Sequence, residues 1–542
     1  MANFNFARLI EAVADQAPDR IAVSASDGTS YSYGELDVRG NRFGHTLMSL
    51  GAGYGDRVAI LAHNRAEWLD VMIGCFKLGA LIVNVNYRYT AGEIAHVLRD
   101  SGAAVVVAEA EFAGVLHDAL QQAGTSPRIL FLDQDAPEES AYSARVASAD
   151  AGRDFPPHEG VDEYLLYTGG TTGLPKGVVW TQEDLVNGAV AYGWAVGGTG
   201  FTDPSAIAQR LTEEVPVVMA VAPLMHGNGQ WAMLRAWTLA GTAAIWAGRR
   251  FEADKLLDSL ERMQVNIVSL VGDSMAKPLL AEIERDPNRW DLSALSAIGS
   301  GGAVMSPQTK AAIRRMLPHV TVIDGYGGSE FGTAGTLTGE DDATFPRFDA
   351  AADRVQVVRD DLSPVTAGEQ GLVAVGGAVA SRYWNDPVKS AQVFRVDGTG
   401  KRWATPGDSA IRNSDGTFSL LGRGSLAINT GGEKVYPDEV ETALKTYPAI
   451  RDALVVGVPD PLYGQRIAAV VSRNESAEGV YGADLSVAQL QDHLRSRLAG
   501  FKIPRLVAVV SEIRRSPAGK ADYLWARQQV TQDAITTSGS TK

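Results

Sequence analysis

Ten residues at 168–177 gather three hydroxyls, four glycines and one lysine. The string is Tyr167-Thr-Gly-Gly-Thr-Thr-Gly-Leu-Pro-Lys-Gly-Val-Val-Trp180. Thr168, Thr171 and Thr172 offer hydroxyl donors, Gly169, Gly170, Gly173 and Gly177 leave backbone N–H groups accessible, and Lys176 adds a cation on a long stem. A polyphosphate, dense in charge and acceptor oxygens, is the ligand such a set matches. The spacing is not that of a Walker A loop, which needs Gly, four residues and then Gly-Lys-Ser/Thr. Here Lys176 precedes Gly177 and Val178 follows, so a P-loop NTPase or kinase is a poor fit.

A second cluster is Asp324-Gly-Tyr-Gly-Gly-Ser-Glu330. Tyr326 supplies a ring that can stack on a purine, Ser329 a donor for an α-phosphate, and Glu330 hard oxygens suited to Mg²⁺. Upstream lies the small-residue string Gly299-Ser-Gly-Gly-Ala303. Pro406-Gly-Asp408 is followed fifteen residues later by Arg423; on their own these are as well a turn aspartate and a solvated arginine. Near the C-terminus, Arg515-Ser-Pro-Ala-Gly-Lys520 places a lysine after a Pro/Gly turn, and alone it reads as a solubilising surface charge.

Taken in order, these motifs resemble the adenylate-forming superfamily, which includes acyl-CoA synthetases, peptide-synthetase adenylation domains and firefly-type luciferases. Its Tyr-Gly-x-Thr-Glu pattern has Ser329 in place of threonine here, which keeps the hydroxyl. The resemblance implies an ATP-dependent attack of a carboxylate on the α-phosphate, with Lys520, Glu330 and Lys176 in catalytic roles and Glu330 holding Mg²⁺. The nucleotide would lie against Thr168, Gly169, Gly170, Thr171, Thr172 and Gly173, against Gly301, Gly302 and Ala303, and against Asp324, Gly325, Tyr326, Gly327 and Ser329. Asp408 would take both ribose hydroxyls, as an ionised carboxylate can, with Arg423 beside it. Pro223-Leu-Met-His226-Gly-Asn-Gly229 resembles the segment that gates the acyl site. His226, whose alternative is a satisfied structural histidine, is therefore assigned to that pocket, with Gly227, Trp231, Val271, Gly272 and Ser300 as walls. Gly431-Gly-Glu433 resembles the loop lining the CoA tunnel, and Ser425 stands at the hinge, where relatives often carry Asp or Lys.

The resemblance implies a neutral, apolar acid, because amino-acid-activating relatives carry an aspartate in the segment corresponding roughly to 223–233, which holds none here. The run from Gly422 also resembles actinobacterial synthetases for steroid-side-chain and other polycyclic acids, so a fatty or polycyclic acid is expected. ATP, Mg²⁺ and CoA are the implied cofactor and co-substrates. The competing reading keeps adenylation but hands the acyl-AMP to a carrier protein, an amine or a partner enzyme; an oxygenase and a dead nucleotide-binding regulator are further alternatives.

Elements must position these residues. Apolar runs at 58–62, 81–85, 103–108, 216–222, 265–271 and 320–323, with helical spacing at 91–100, 252–263 and 307–316, predict a mostly parallel α/β sheet architecture. Alternating segments at 353–358, 371–376 and 417–421 predict a small antiparallel unit. Beyond Gly422 a helix at 437–446, strands at 451–458, 466–473 and 505–510, and a helix at 486–498 predict a small α+β domain, which the resemblance implies is mobile. The expected division is 1–422, a hinge at 423–425 implied by the same resemblance, and 426–542, with the tail from Gln532 frayed. The 542-residue chain is long enough for several folding units. A net charge of −15 disfavours nucleic acid and anionic lipid. One cysteine, Cys75 in an apolar run, excludes an internal disulfide framework and a Cys-based zinc site. The N-terminus shows no secretory pattern, and the uncharged stretch 215–234 is too rich in Pro, Gly, His and Asn for a membrane span. A cytoplasmic enzyme acting on a small-molecule carboxylic acid is expected, with a homodimer left open.

Overall fold

Short β-branched runs bounded by glycine or polar residues build the strands of the large N-terminal region. The computed structural model describes residues 4–133, 140–169, 174–190, 203–211, 214–301, 305, 307–336, 347–349, 354–423, 428–435, 437–473, 487–514, 523–532 and 535–536. Its largest sheet has eight strands, in the order Gly332–Thr336, Thr321–Gly328, Ala297–Ser300, Ile267–Leu270, Val217–Ala220, Thr242–Ile245, Ile21–Ala25, Ser30–Ser32. Neighbours among the inner six are parallel, and only the two edge strands are antiparallel. A second, four-stranded parallel sheet runs Leu81–Asn84, Arg57–Leu61, Val105–Ala108, Arg128–Phe131. Parallel strands demand cover on both faces, and helices supply it. Helix Gly227–Thr238 buries Trp237, whose Nε1–H donates to the Ala22 carbonyl at 3.1 Å. Helix Ala91–Ser101 starts at a capping box, with Thr90 and Glu93 bonded reciprocally, and stops at Gly102 in the left-handed region.

Two antiparallel units complete this region. Glu163–Gly169 and Pro175–Thr181 form a hairpin, with Arg382–Tyr383 added on its far side. The seven-stranded sheet between 347 and 423 contains Gln370–Gly376, Asp408–Arg412 and Phe418–Arg423. The C-terminal sheet is crossed by Ile450–Asp460 and Gly464–Arg473, with Leu506–Val510 parallel to the latter. Successive side chains of Ile450–Asp460 alternate between two cores. Ala453 and Val455 pack with Val440, Leu444, Leu490 and Leu494, whereas Leu454 and Val456 pack with Ala526 and Val530.

The fold is the expected one, a large parallel α/β region with a small β unit and a smaller α+β C-terminal domain. Two expectations need correction. The strand expected at 320–323 runs on to Gly328 and folds back onto Gly332–Thr336, so Asp324, Gly325, Tyr326 and Gly327 are strand residues rather than a loop after one. The tail is not uniformly frayed either, because Ile535–Thr536 pairs antiparallel with Leu506 and Val507.

Candidate functional site

Parallel strands leave their carboxyl ends open at one edge, the usual place for a ligand crevice. Val271 follows Ile267–Leu270, Gly301 follows Ala297–Ser300, and Asn84 ends Leu81–Asn84; all three line one cavity of about 230 Å³. Of the nucleotide set read from sequence, Thr168, Gly169, Gly301, Gly325, Tyr326, Gly327 and Ser329 line it, and of the acyl set His226, Gly227, Trp231, Val271 and Ser300 do. Gly432 and Glu433 close it from the C-terminal domain, together with Lys434, Glu439, Phe501 and Lys502. Gly272 stands one step behind, its N–H donating to Ser300 Oγ at 3.1 Å, and Gly431 lies beneath the Tyr463 ring. Gly170, Thr171, Thr172, Gly173, Gly302, Ala303, Ser425 and Lys520 lie outside the described residues. So do the side chains of Asp324 and Arg423, whose backbones pair with Ser300 and Asp408.

The threonine-glycine string spans the end of a hairpin. Gly169 pairs with Pro175, and Thr168 stands opposite Lys176. The base of that hairpin is fixed by Asn84, buried between three segments. Its Nδ2 donates to the Tyr167 and Met225 carbonyls at 2.7 and 2.6 Å, and its Oδ1 accepts the Tyr167 N–H at 2.7 Å. Tyr167 also donates its hydroxyl to Asp100 at 2.6 Å. On the other flank Trp180 Nε1–H donates to the Ser329 carbonyl at 2.9 Å, tying the hairpin to the 324–330 string.

Tyr326 is held among Phe331, Phe348 and Phe418, at centroid distances of 5.5, 5.5 and 5.7 Å, tilted against the first two rings and edge-on to the third. Its hydroxyl donates to Asp408 Oδ2 at 2.5 Å, so the tyrosine and the aspartate share one buried hydrogen bond. Asp408 and Arg423 are register partners on adjacent strands, which is why fifteen residues of chain bring them together. Glu330 is buried, and Tyr383 donates to its Oε1 at 2.9 Å. Lys176 Nζ lies 5.6 Å from the centroid of the same tyrosine ring and 3.6 Å from Asp386. Mg²⁺ keeps several waters and takes one or two carboxylates plus substrate phosphates. A single buried carboxylate held by Tyr383, the ring that Lys176 also approaches, fits such an ion. Among the described residues, the two groupings of three His and acidic side chains, His45–Asp150–Asp154 and His63–Glu109–Glu111, do not include Glu330.

His226 ends the loop before helix Gly227–Thr238 and reaches the C-terminal domain, its Nε2 3.3 Å from Glu433 Oε1. Arg88 and Asn86 also donate to this carboxylate, each at 3.4 Å. Burial alone would raise the Glu433 pKa, but His226 and then Arg88 and Asn86 outweigh it and hold the carboxyl below its ordinary value. Gly432 sits at φ +87°, and a Cβ there would stand 2.3 Å from Val271 Cγ1. The loop thus touches Val271, a residue of the expected acyl set. Helix Gly227–Thr238 presents Gly227, Trp231 and Arg235 to the cavity at four-residue spacing. Arg235 is buried, donates to the Val190 and Ala189 carbonyls, and is brought down to about 9 by burial, so it remains cationic at neutral pH. Asn84, Asn86, Arg88, Arg235, Tyr383 and Lys502 belong to no spaced motif of the sequence, and Glu439 lies in the string that begins at Gly431 without a role of its own.

The AMP-binding enzyme family matches residues 10–384, and its C-terminal domain matches 439–520. The chain belongs to this family of AMP-binding enzymes. It is 37% identical, over 97% of its length and 96% of the relative's, to a medium/long-chain-fatty-acid–CoA/3-oxocholest-4-en-26-oate–CoA ligase of Mycobacterium marinum. A 3-oxocholest-4-en-26-oate–CoA ligase of Rhodococcus rhodochrous is 35% identical, with 97% of this chain and 96% of that protein covered. Among solved structures, an o-succinylbenzoate CoA synthetase from Bacillus subtilis superposes with a TM-score of 0.78 at 24% identity, covering 98% of this chain and all of the other, and so shares the fold. Among the described residues, no helix is long and apolar enough to cross a membrane.

Proposed function

We propose that this chain is an AMP-forming acyl-CoA ligase that activates a hydrophobic carboxylic acid with ATP and passes the acyl group to CoA. The observation that carries the reading is the single cavity running from Thr168 and Gly325 past His226 and Trp231 to Gly432 and Glu433. One space therefore joins a phosphate-type loop, an acyl wall and the loop that a thiol arm would pass. The apolar wall of Leu166, Met225, Trp231, Val271 and Ile323 suits a fatty or steroid-side-chain acid, in line with the substrates named for the relatives. The carboxylates lining this space, Glu433 and Glu439, come from the C-terminal domain and are engaged by His226 and Lys502. Hence none of the described acyl-wall residues is an acid that would pair an amino group.

A carboxylate approaching a polyphosphate meets like charge, so rate enhancement comes from positioning and charge stabilisation. Mg²⁺, when bound by Glu330, neutralises phosphate charge and polarises the phosphoryl group. Tyr383 fixes the Glu330 rotamer, Asp408 accepts the ribose hydroxyls, and Thr168 with the rest of its string orients the departing pyrophosphate. Lys520 bridges the acyl carboxylate and the α-phosphate. In the second step the thiol sulfur bonds to the acyl carbon, the acyl C–O bond to AMP breaks with its electrons leaving on the phosphate, and the thiol proton goes to solvent. The contact of Gly432 and Glu433 with Val271 and His226 supports a domain disposition belonging to this second step. We place the reaction in the cytoplasm, where ATP and CoA are available.

The test is acid-dependent ATP–pyrophosphate exchange over a panel of fatty and polycyclic acids, with and without CoA. Lys520→Ala is expected to lower exchange by at least ~10²-fold, the order of removing a transition-state electrostatic donor. Exchange without acyl-CoA formation would favour another acceptor, and near-normal exchange in Lys520→Ala would refute the role of that lysine.

A further inference from the structure

A buried ion cluster at the rim of the cavity, given no part in the chemistry above, joins the two parts of the chain. The Lys502 ammonium lies between Glu93 of helix Ala91–Ser101 and Glu439, 2.8 Å away, of helix Pro437–Lys445. The side chains of Lys502, Glu93 and Glu439 are 5%, 5% and 12% exposed, so the charges are desolvated. We propose that Lys502, clasped by Glu93 and Glu439, is the positioning contact that docks the C-terminal domain for thiol transfer; this rests on the two-step reaction proposed above.

Three features support this assignment. Glu93 is a fixed post, because its Oε2 accepts the Thr90 N–H and hydroxyl at 2.8 and 2.9 Å in the helix capping box, leaving Oε1 to face Lys502. The cluster also shares its footing with the cavity loop. Asn86 and Arg88 take Glu433, while Tyr89, whose ring centroid is 5.3 Å from Lys502 Nζ, and Glu93 take the lysine. Residues 86–93 are thus one ledge receiving both Glu433 and Lys502 of the C-terminal domain, and a rotation that lifts Glu433 away from His226 must also pull Lys502 from Glu93. Finally, the balance of charge makes the clasp two-state. Within the C-terminal domain Lys502 keeps Glu439 whatever the domain's position, but Glu93 has its ammonium only when the domain is docked. A buried charge stripped of its partner is strongly unfavourable, so an intermediate half-docked arrangement is disfavoured. Contacts of this kind let a domain move between discrete positions.

Glu93→Gln tests the idea, because glutamine keeps the size of the side chain and can still serve the capping box while losing the charge. With dodecanoate as the acid, ATP–pyrophosphate exchange is expected to stay within about twofold of the unmodified chain. Single-turnover transfer from enzyme-bound dodecanoyl-AMP to CoA is expected to fall about tenfold, within the usual span of coupling between sites. Lys502→Met should show the same loss in transfer, the double variant no further loss, and Lys502→Arg a partial return. Glu93→Asp, a milder change, provides a second variant with the same direction should Glu93→Gln melt early. Equal losses in both half-reactions, unchanged transfer in Glu93→Gln, or a transfer defect confined to Lys502 variants would each overturn the proposal. An unmodified chain that supports no exchange with any acid overturns instead the underlying activity, and the role of the clasp falls with it.

Discussion

Asp408 is joined to an aromatic cluster through one hydroxyl. Tyr326 donates to it at 2.5 Å while the ring is gripped by three phenylalanines, so the aspartate's orientation is tied to that cluster as well as to its own strand. A hydrogen bond to a charged group contributes about 1.5–3 kcal/mol. Tyr326→Phe removes that bond and leaves the ring packing intact. The KM for ATP in pyrophosphate exchange is expected to rise about tenfold or more, since each ~1.4 kcal/mol is a factor of ten, with the KM for the acid little changed. An unchanged KM for ATP would separate Asp408 from nucleotide binding. The same dependence of one side chain on another holds for Glu330, whose carboxylate is steered by Tyr383. Neither steering tyrosine–carboxylate pair is visible in the spacing of the sequence: 82 residues separate Tyr326 from Asp408 and 53 separate Glu330 from Tyr383.

Elements were more legible than pairs. Parallel strands such as Val105–Ala108 and Ile267–Leu270 are buried on both faces and therefore read as plain apolar runs. The helix expected over 91–100 is Ala91–Ser101, one residue longer, with Thr90 and Gly102 as its caps. What the sequence hid was partnership across distance. The glycine-threonine string was recognised, yet not that Tyr167 and Trp180 flank it as hairpin strands anchored to Asn84 and Ser329. The 324–330 string is rich in glycine, whose low β-propensity normally ends a strand; here it extends one, with the backbone of Gly332–Thr336 paired against it. Gly432 shows the same theme in the C-terminal loop, and it supplies an element-scale expectation. An alanine there would be strained at φ +87° and would set its Cβ 2.3 Å from Val271 Cγ1. Left-handed backbone costs a non-glycine residue roughly 1–2 kcal/mol and overpacking about 1–3 kcal/mol. Gly432→Ala is thus expected to slow transfer to CoA by about tenfold or more, with adenylation much less affected. Val271→Ala in the same chain should recover part of the loss, and equal slowing of both steps would show that the loop does not act through this contact.

At the scale of the whole molecule, docking the C-terminal domain buries two carboxylates against one ammonium, and this couples domain position to pH. Burial pushes Glu439 up; Lys502 pulls it down and Glu93 pushes it up again, leaving it at about 7 against an ordinary 4.5. A carboxyl raised in this way holds its proton in the docked, folded chain at pH values where the exposed group has lost it. Its contribution to stability is therefore full below about 4.5 and declines as pH rises towards about 7. The groups facing it are Lys502, itself raised because the two glutamates outweigh its burial, and Glu93, with the Tyr89 and Phe501 rings alongside the lysine. Glu439→Gln fixes the uncharged state in a side chain of the same shape. Thermal melts should then show the unmodified chain losing stability relative to Glu439→Gln between pH ~5 and ~8, by on the order of a few degrees. Other acids with raised values, such as buried Asp70 and half-buried Asp184, cancel in that difference because both chains retain them. Parallel pH profiles for the two chains would mean that Glu439 is ionised when docked. The clasp would then carry a full second negative charge, and proton uptake would play no part in holding the domain over the cavity.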